Sequence, residues 1–364
     1  MTSRRTALDR ERLRLYLRIL SASAVVGALF GLRLGIDRPS YLLLNLGAGV
    51  ANALVIAGTI AGIEIFLLRE GSPAMRRLAA LPFFAVLALK TLAYGAIISA
   101  AVIGSGRLID AFLLPAPPAG ETGGARTTAL LIGASLATTL LFVIIQQAVS
   151  LVGRRTFRNL LFGRYRRPRL ERRFFLFVDV VGSTALAERF GALRAHEFLA
   201  AVFGATAEAV AACRGEVYQY IGDEIVVTWT EAEGREGGAE EARPLRCYFE
   251  MRAALQERRA EFEARFGALP SLRAALHLGE VVAGEVGVLR RAIVYHGDVM
   301  NTASRLEHAT RELGHLFIAS ADAVGALSVP PDLELTDLGA LALRGREETI
   351  SAWGVALRAA EPPR

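Results

Sequence analysis

The sequence predicts an α-helical membrane bundle followed by an α+β cytoplasmic domain, and three observations carry that prediction. Hydrophobic residues make up 53% of the 364, with a mean hydropathy of +0.37, more than one soluble domain of this length carries. The charge is divided: residues 1–173 hold 23 basic and 8 acidic side chains, a net of +15, while residues 174–364 hold 19 and 28, a net of −9. At Phe174 the hydrophobic pattern changes from long apolar runs to short segments separated by turn residues. This composition excludes disorder and a small disulfide scaffold. The basic half suits a lipid bilayer with anionic headgroups, and the acidic half argues against nucleic acid as a partner, so the overall pI of 9.7 misleads. Cys213 and Cys247, both in the second half, read as buried thiols.

Residues 1–152 read as a membrane domain of about four helices, Ile19–Leu32, Tyr41–Leu68, Leu81–Gly104 and Thr128–Val152. The last three can cross a hydrocarbon core of ~30 Å, whereas the first has 14 uninterrupted apolar residues and needs Arg18 and Arg33 to snorkel. Arginines before the first span, at Arg69, Arg76 and Arg77, and from Arg154 to Arg173 mark the cytoplasmic side. The loops around Asp37 and across Ser105–Arg126 then face outward, and both termini lie inside. No small-residue cleavage site follows the first span, so a removable signal peptide is not expected. Lys90, the only lysine, falls near the middle of the third span, where a charge needs a partner or water. Asn45, Asn52 and Glu64 are candidate partners, and the lysine is either a sensing or coupling residue or a structural hydrogen-bonding group. Residues 153–173, with nine arginines in 21, form a basic juxtamembrane linker expected at the lipid headgroups, either transmitting a signal or anchoring the topology.

Residues 174–364 form the soluble domain. Phe174–Val181 is an apolar strand bounded by Gly182, after which Ser183 or Thr184 can cap a helical stretch that runs to about Cys213 with Gly191 interrupting it. Glu216–Ile221 and Glu224–Trp229 are strands joined by Gly222-Asp223, a two-residue hairpin signal. Thr230–Arg243, rich in Glu and Gly, is expected as an exposed loop, and Pro244 opens an amphipathic helix that stops at Gly267. Ser271–Leu278, Ala292–His296 and Leu316–Ala319 read as further strands, with a helix from about Val299 to Leu313. The order β-α-β-β-α-β-β-α-β predicts helices covering one face of a largely antiparallel sheet.

Asp179 and Asp223 are carboxylates at the exits of strands expected to be neighbours, and hard cations such as Mg²⁺ are held by one or two carboxylates plus substrate phosphates. Between them Gly182-Ser183-Thr184 offers backbone N–H groups at a helix N-terminus, a phosphate cradle. Each is weak evidence singly; together they suggest a nucleotide site. Phe177-Val178-Asp179-Val180-Val181-Gly182-Ser183-Thr184, Tyr220-Ile221-Gly222-Asp223-Glu224 and Gly297-Asp298-Val299-Met300-Asn301-Thr302-Ala303-Ser304-Arg305-Leu306-Glu307 resemble, in order and spacing, the catalytic domain of the class III adenylate/guanylate cyclases. The resemblance covers about 174–356 and implies a palm-type, ferredoxin-like nucleotide cyclase fold.

It further implies that Asp179 and Asp223, with the backbone carbonyl of Val180, bind two divalent cations, Mg²⁺ or Mn²⁺. Asn301 and Arg305 match the family's ribose-orienting amide and phosphate-neutralising guanidinium, and their i,i+4 spacing puts both on one helical face. Leu343-Arg344-Gly345 resembles the family's Leu-Lys-Gly, which makes Arg344 a triphosphate contact. The family works as a head-to-tail homodimer with shared sites, one chain giving the metals and the other Asn301 and Arg305. Base selection falls to Gln219 and Val294, where adenylate cyclases usually carry Lys and Asp or Thr. A glutamine amide can serve adenine or, turned over, guanine. The expected activity is conversion of ATP to cyclic AMP and pyrophosphate, the alternatives being a guanylate cyclase acting on GTP or an inactive cyclase-like regulatory module. The arginine bias suggests a GC-rich bacterial genome, and hence a multi-pass protein of the bacterial inner membrane.

Overall fold

In the computed structural model residues 2–36, 42–68, 72–112, 125–238, 242–288, 291–343 and 349–358 are described, and the chain divides into two units, 1–157 and 158–364. The first is helical: α1 (Thr2–Ile36), α2 (Leu42–Gly62) continued by a π-helical turn (Ile63–Leu67), α3 (Pro73–Ala79), α4 (Phe83–Phe112) and α5 (Ala125–Val152). Three stretches, Arg12–Arg33, Leu42–Leu67 and Phe83–Gly104, are long and apolar enough to cross a membrane. The first expected span is thus longer than its 14 clean residues, because α1 stays helical through its flanking arginines. The fourth, Thr128–Val152, lies within α5, where the described apolar stretch is Thr139–Val149. Residues 37–41 and 113–124, which include parts of the expected outward loops, lie outside the described residues.

Helices α1 and α2 meet through glycines. A Cβ on Gly27 would lie 2.3 Å from the carbonyl oxygen of Gly49, and one on Gly31 would lie 2.3 Å from that of Asn45. Only hydrogen fits there, so the backbones approach closely and dispersion acts over the whole crossing. Glu64, one of the three candidate partners for Lys90, is engaged: Nζ donates to Glu64 Oε1 at 2.7 Å and to Gln146 Oε1 at 3.3 Å, and the Tyr94 hydroxyl donates to the same Glu64 oxygen. The π-helical turn that carries Glu64 departs from α-helical phase at this point.

The second unit begins within α6 (Arg154–Leu161) and continues β1 (Arg169–Val180), α7 (Ser183–Phe190), α8 (Ala192–Ala212), β2 (Glu216–Ile221), β3 (Glu224–Thr230), α9 (Glu231–Arg235), α10 (Arg243–Glu257), α11 (Arg259–Phe266), β4 (Leu272–Val286), β5 (Ala292–His296), α12 (Asp298–Leu313), β6 (Phe317–Ser320), α13 (Ala321–Gly325), β7 (Leu333–Leu341) and β8 (Ile350–Leu357). The sheet order is β2-β3-β1-β4-β6-β8-β7, with β5 paired to β4; only β4 and β6 run parallel. The hairpin at Gly222-Asp223 forms as expected, with Gly222 at φ +62°.

Several expectations need correction. Helices cover both faces of the sheet: Phe174, Leu176, Val178 and Val180 pack with α8, α10 and α11, while Phe175 and Phe177 meet Val299 and Ala303 of α12 on the other side. The expected linker is partly folded into the sheet, since β1 starts at Arg169 and pairs with β4 from there. Arg173 is therefore fully buried, not held at headgroups, and donates to Glu171, Thr228 and Glu216 while lying over the Tyr295 ring. Part of the expected loop at Thr230–Arg243 is α9, started by a capping box in which Thr230 and Glu233 exchange hydrogen bonds. The helix after Pro244 breaks at Arg258 into α10 and α11. Strands β7 and β8 extend the sheet beyond the expected set. The thiols of Cys213 and Cys247 are free and buried, as expected.

In the membrane unit the Lys90–Glu64 pair yields a test. Lys90→Met should lower stability by about 3 kcal/mol, because it leaves a carboxylate without its counter-charge, and Glu64→Gln in the same chain should recover most of the loss. Thermal unfolding of the detergent-solubilised protein followed by circular dichroism checks both.

Candidate active site

Strand β1 positions the first functional group. Its antiparallel register sets Asp179 opposite Glu224 of β3 on one side and Arg273 of β4 on the other, so all three side chains project from the same face at the same level. Asp179 is 5% exposed, and its Oδ2 accepts from Arg273 Nη2 at 3.0 Å and from Arg311 Nη2 at 3.2 Å. Asp223, in the β2–β3 turn, is tied to the end of β1 by its own carbonyl, which accepts from the Val180 N–H at 3.2 Å. Its carboxylate accepts from the Ser183 hydroxyl. Ser183 was expected as a helix cap. Instead Gly182, at φ +77°, occupies the N-cap of α7 without a side-chain bond, which leaves the Ser183 side chain to Asp223.

Asp179, Asp223, Thr184 and Asn301 line one cavity of about 550 Å³, together with Glu224 and Glu307. Four carboxylates thus share a small volume. Burial, with Glu307, Asp179 and Asp223 adding, pushes the Glu224 carboxyl up to about 7. Burial and the Asp179 charge also raise that of Glu307, against the opposing pull of His308, Arg311 and Arg273. This excess of negative charge and of hard oxygen donors is chemistry that suits a divalent cation and repels a bare anion. Among the described residues no three His, Cys, Asp or Glu side chains converge as a ready-made cage. A cation here would draw on two carboxylates and on ligand oxygens.

Not every expected residue joins this cavity. Arg305, on α12, and Gln219 and Val294, on β2 and β5, do not line it, and Arg344 lies outside the described residues. Asn301 is exposed at the rim of its own chain's cavity. Sequence reasoning missed Arg273, Arg311, Glu224 and Glu307. The helical period from Asn301 through Ser304 and Glu307 to Arg311 could have found two of them, since these positions share a face. Arg273 becomes visible only once the β1–β4 register is known.

Residues 168–354 match the family described as adenylate and guanylate cyclase catalytic domain. The chain is 38% identical over 217 residues to Adenylate cyclase 2 of Rhizobium meliloti (strain 1021), covering 60% of this chain and 59% of that protein. It is 28% identical over 186 residues to an adenylate cyclase of Anabaena cylindrica, covering 50% of this chain and 36% of that one. The match thus spans less than two thirds of the length of these relatives. Among solved structures, a bacterial light-regulated adenylyl cyclase shares the fold with a TM-score of 0.51 at 20% identity, covering 65% of this chain and 66% of that chain.

The raised Glu224 carboxyl gives a signed pH dependence for the cation-free protein. The folded state holds this proton more tightly than the unfolded chain, so the stability it contributes is complete below about pH 4.5 and is lost as the pH rises to about 7. The loss is up to about 3 kcal/mol. In chelator, the melting temperature of the wild type should therefore fall across that window relative to Glu224→Gln, measured by scanning fluorimetry at matched ionic strength.

Proposed function

The chain belongs to the adenylate and guanylate cyclase catalytic-domain family, and from that premise we propose that it is a membrane-anchored adenylate cyclase converting ATP to cyclic AMP and pyrophosphate. The observation that carries this reading is the meeting of Asp179, Asp223, Thr184 and Asn301 around one cavity. Asp179 and Asp223, with the Val180 carbonyl, are the groups that would hold two divalent cations, whose chemistry is to lower the pKa of the ribose 3′-hydroxyl and offset charge on the phosphates.

The chain's own residues divide the remaining work. Backbone N–H groups at Gly182-Ser183-Thr184, at the start of α7, would cradle a phosphate, and the Asn301 amide of the other chain would fix the ribose. The 3′-oxygen then attacks the α-phosphate, and the bond to pyrophosphate breaks. Arg305 neutralises charge on the reacting phosphate, and Arg344 holds the triphosphate. Gln219 reads the Watson–Crick edge of adenine, and Val294 shapes the base pocket without a hydrogen bond. The reading includes a head-to-tail homodimer with shared sites, one chain giving the metal-binding carboxylates and the other Asn301 and Arg305, and the position of Arg305 off the cavity of its own chain supports it. The reading also includes a multi-pass protein of the bacterial inner membrane with the N-terminus and the cyclase domain in the cytoplasm, supported by three stretches long and apolar enough to cross a membrane and by the arginines that flank them.

Full-length protein in membranes with Mn²⁺ should convert ATP, and GTP less well, to the cyclic nucleotide, resolved by chromatography. Asp179→Ala or Asp223→Ala should reduce turnover at least about 1,000-fold. Co-expressed Asp179→Ala and Arg305→Ala chains should recover part of the activity through one intact shared site. No recovery in a verified heterodimer counts against the shared-site arrangement, and no product from either nucleotide sinks the enzymatic reading.

A further inference from the structure

Two buried atoms beside the cavity form a long ion pair and make no hydrogen bond. Arg273 Nε and Glu307 Oε1 are both shielded from solvent, neither makes a hydrogen bond, and they stand 3.9 Å apart. Glu307 is 2% exposed, so its orphan oxygen has no water to turn to. Such groups are rare in native structures, and each calls for a physical reason. The other end of the same guanidinium supplies one. Arg273 Nη2 is bound to Asp179 Oδ2, the oxygen that Arg311 also holds. Asp179 therefore carries two guanidinium donors on one oxygen while Glu307, on the far side of Arg273, carries none.

A divalent cation on Asp179 competes with both guanidiniums, since the like charges repel and each draws on the same carboxylate. Arg311 can leave easily, because its side chain is 54% exposed and solvent receives it. Arg273 cannot, because its side chain is 15% exposed and its backbone is fixed opposite Asp179 in the sheet. The Glu307 carboxylate lies within about 1 Å of hydrogen-bonding range of its Nε.

We propose that Arg273 is a two-position side chain that rests on Asp179 when no divalent cation is present and transfers to Glu307 when a cation takes Asp179. Glu307 is the positioning residue that creates the second position. Each carboxylate is then paired once in the cation-bound state: Asp179 with the cation and Glu307 with Arg273. In the cation-free state Glu307 has only the long approaches of Arg273 Nε at 3.9 Å and His308 Nδ1 at 3.6 Å, and its Oε1 accepts no hydrogen bond. The inference rests on the cyclase reading for one point only, that Asp179 is a cation ligand.

The test is a double-mutant cycle on cation binding, read without nucleotide or turnover. Full-length protein in lipid nanodiscs is titrated with Mn²⁺ alone, and free Mn²⁺ is followed by its electron paramagnetic resonance signal, with Asp179→Asn subtracted as the background. Arg273→Met, which removes the competitor, should bind Mn²⁺ about ten-fold more tightly than wild type. Glu307→Gln, which keeps the volume of the side chain but withdraws the charged second position, should bind about ten-fold more weakly. In the Arg273→Met background the same Glu307→Gln change should matter less than about two-fold. Equal weakening in both backgrounds would mean that Glu307 acts on the cation directly and would overturn the proposal. So would Asp179-dependent binding that is the same in wild type and Arg273→Met, including none in either. Should Glu307→Gln fail to fold, the Arg273→Met comparison alone decides. Cyclic nucleotide formation by the same wild-type preparation separates the two readings. Turnover without the expected coupling removes the transfer of Arg273 and leaves the cyclase, whereas absent turnover removes the cyclase.

Discussion

Strand β1 is paired on both sides, to β3 and to β4, and the alternation of its side chains decides where every other part of the catalytic unit can be. Phe174, Leu176, Val178 and Val180 face the core formed with α8, α10 and α11, while Phe175, Phe177 and Asp179 face the other way. A slip of one residue would put the Asp179 carboxylate among the apolar side chains of that core and turn Phe175 and Phe177 away from α12. The apolar pattern therefore fixes the register far more strongly than the aspartate does. The register in turn delivers Asp179 to the same level as Glu224 and Arg273. Core packing and site geometry are one constraint here, and the site inherits its precision from residues that never touch it.

Charge is handled differently in the two units. In the membrane unit Lys90 and Tyr94 both donate to the Glu64 carboxyl, and Lys90 also donates to Gln146. An unpaired charge in a bilayer is costly, so that arrangement favours one fixed state. In the catalytic unit the count is unbalanced, with Asp179, Asp223, Glu224 and Glu307 drawn together around two arginines. The surplus appears as a Glu224 carboxyl pushed toward neutrality and as a buried Glu307 oxygen without a donor. For the cation proposed to bind there, such incompleteness is an advantage, since full pairing of the carboxylates would oppose binding.

Those four carboxylates also mark the limit of what the sequence could tell. Asp179 and Asp223 were legible because each is set by local signals, a strand end and a two-residue turn. Asn301 was legible from its place after a capped strand exit in a run matching a known pattern. Arg273 was not, because its role comes from pairing with a residue 94 positions earlier in the chain. Glu307 and Arg311 were partly legible, since they follow Asn301 at helical spacing, but nothing local says which face of α12 meets β1. The capping box at Thr230 and Glu233 was written in the sequence and was overshadowed by the glycines that follow it. Strand β7 was hidden by a register shift between Asp337 and Ala340, where Gly339 at φ +69° breaks the alternation. Among three polar candidates for Lys90, only packing could choose Glu64, since helical phase is altered by the π turn that carries it.

Helix α12 shows how the fold separates functions that must vary from those that must not. Its apolar residues Val299, Ala303 and Leu306 are locked against Phe175, Phe177, Ala275 and Ile318, so the opposite edge, with Asn301, Ser304 and Glu307, is held toward Asp179 by packing alone. The positions proposed to read the base are carried elsewhere, Gln219 beside a bulge in β2 and Val294 in β5, a strand attached to the sheet only through β4. Both strands also pack against β1, through Tyr218 of β2 and Ile293 and Tyr295 of β5, but Gln219 and Val294 themselves lie outside that cluster, so substitutions at these two positions can leave the packing of β1 in place. A departure from the usual base-reading residues is therefore compatible with an unaltered cluster of carboxylates, because the positions proposed for base reading and the carboxylates lie on different strands of one sheet.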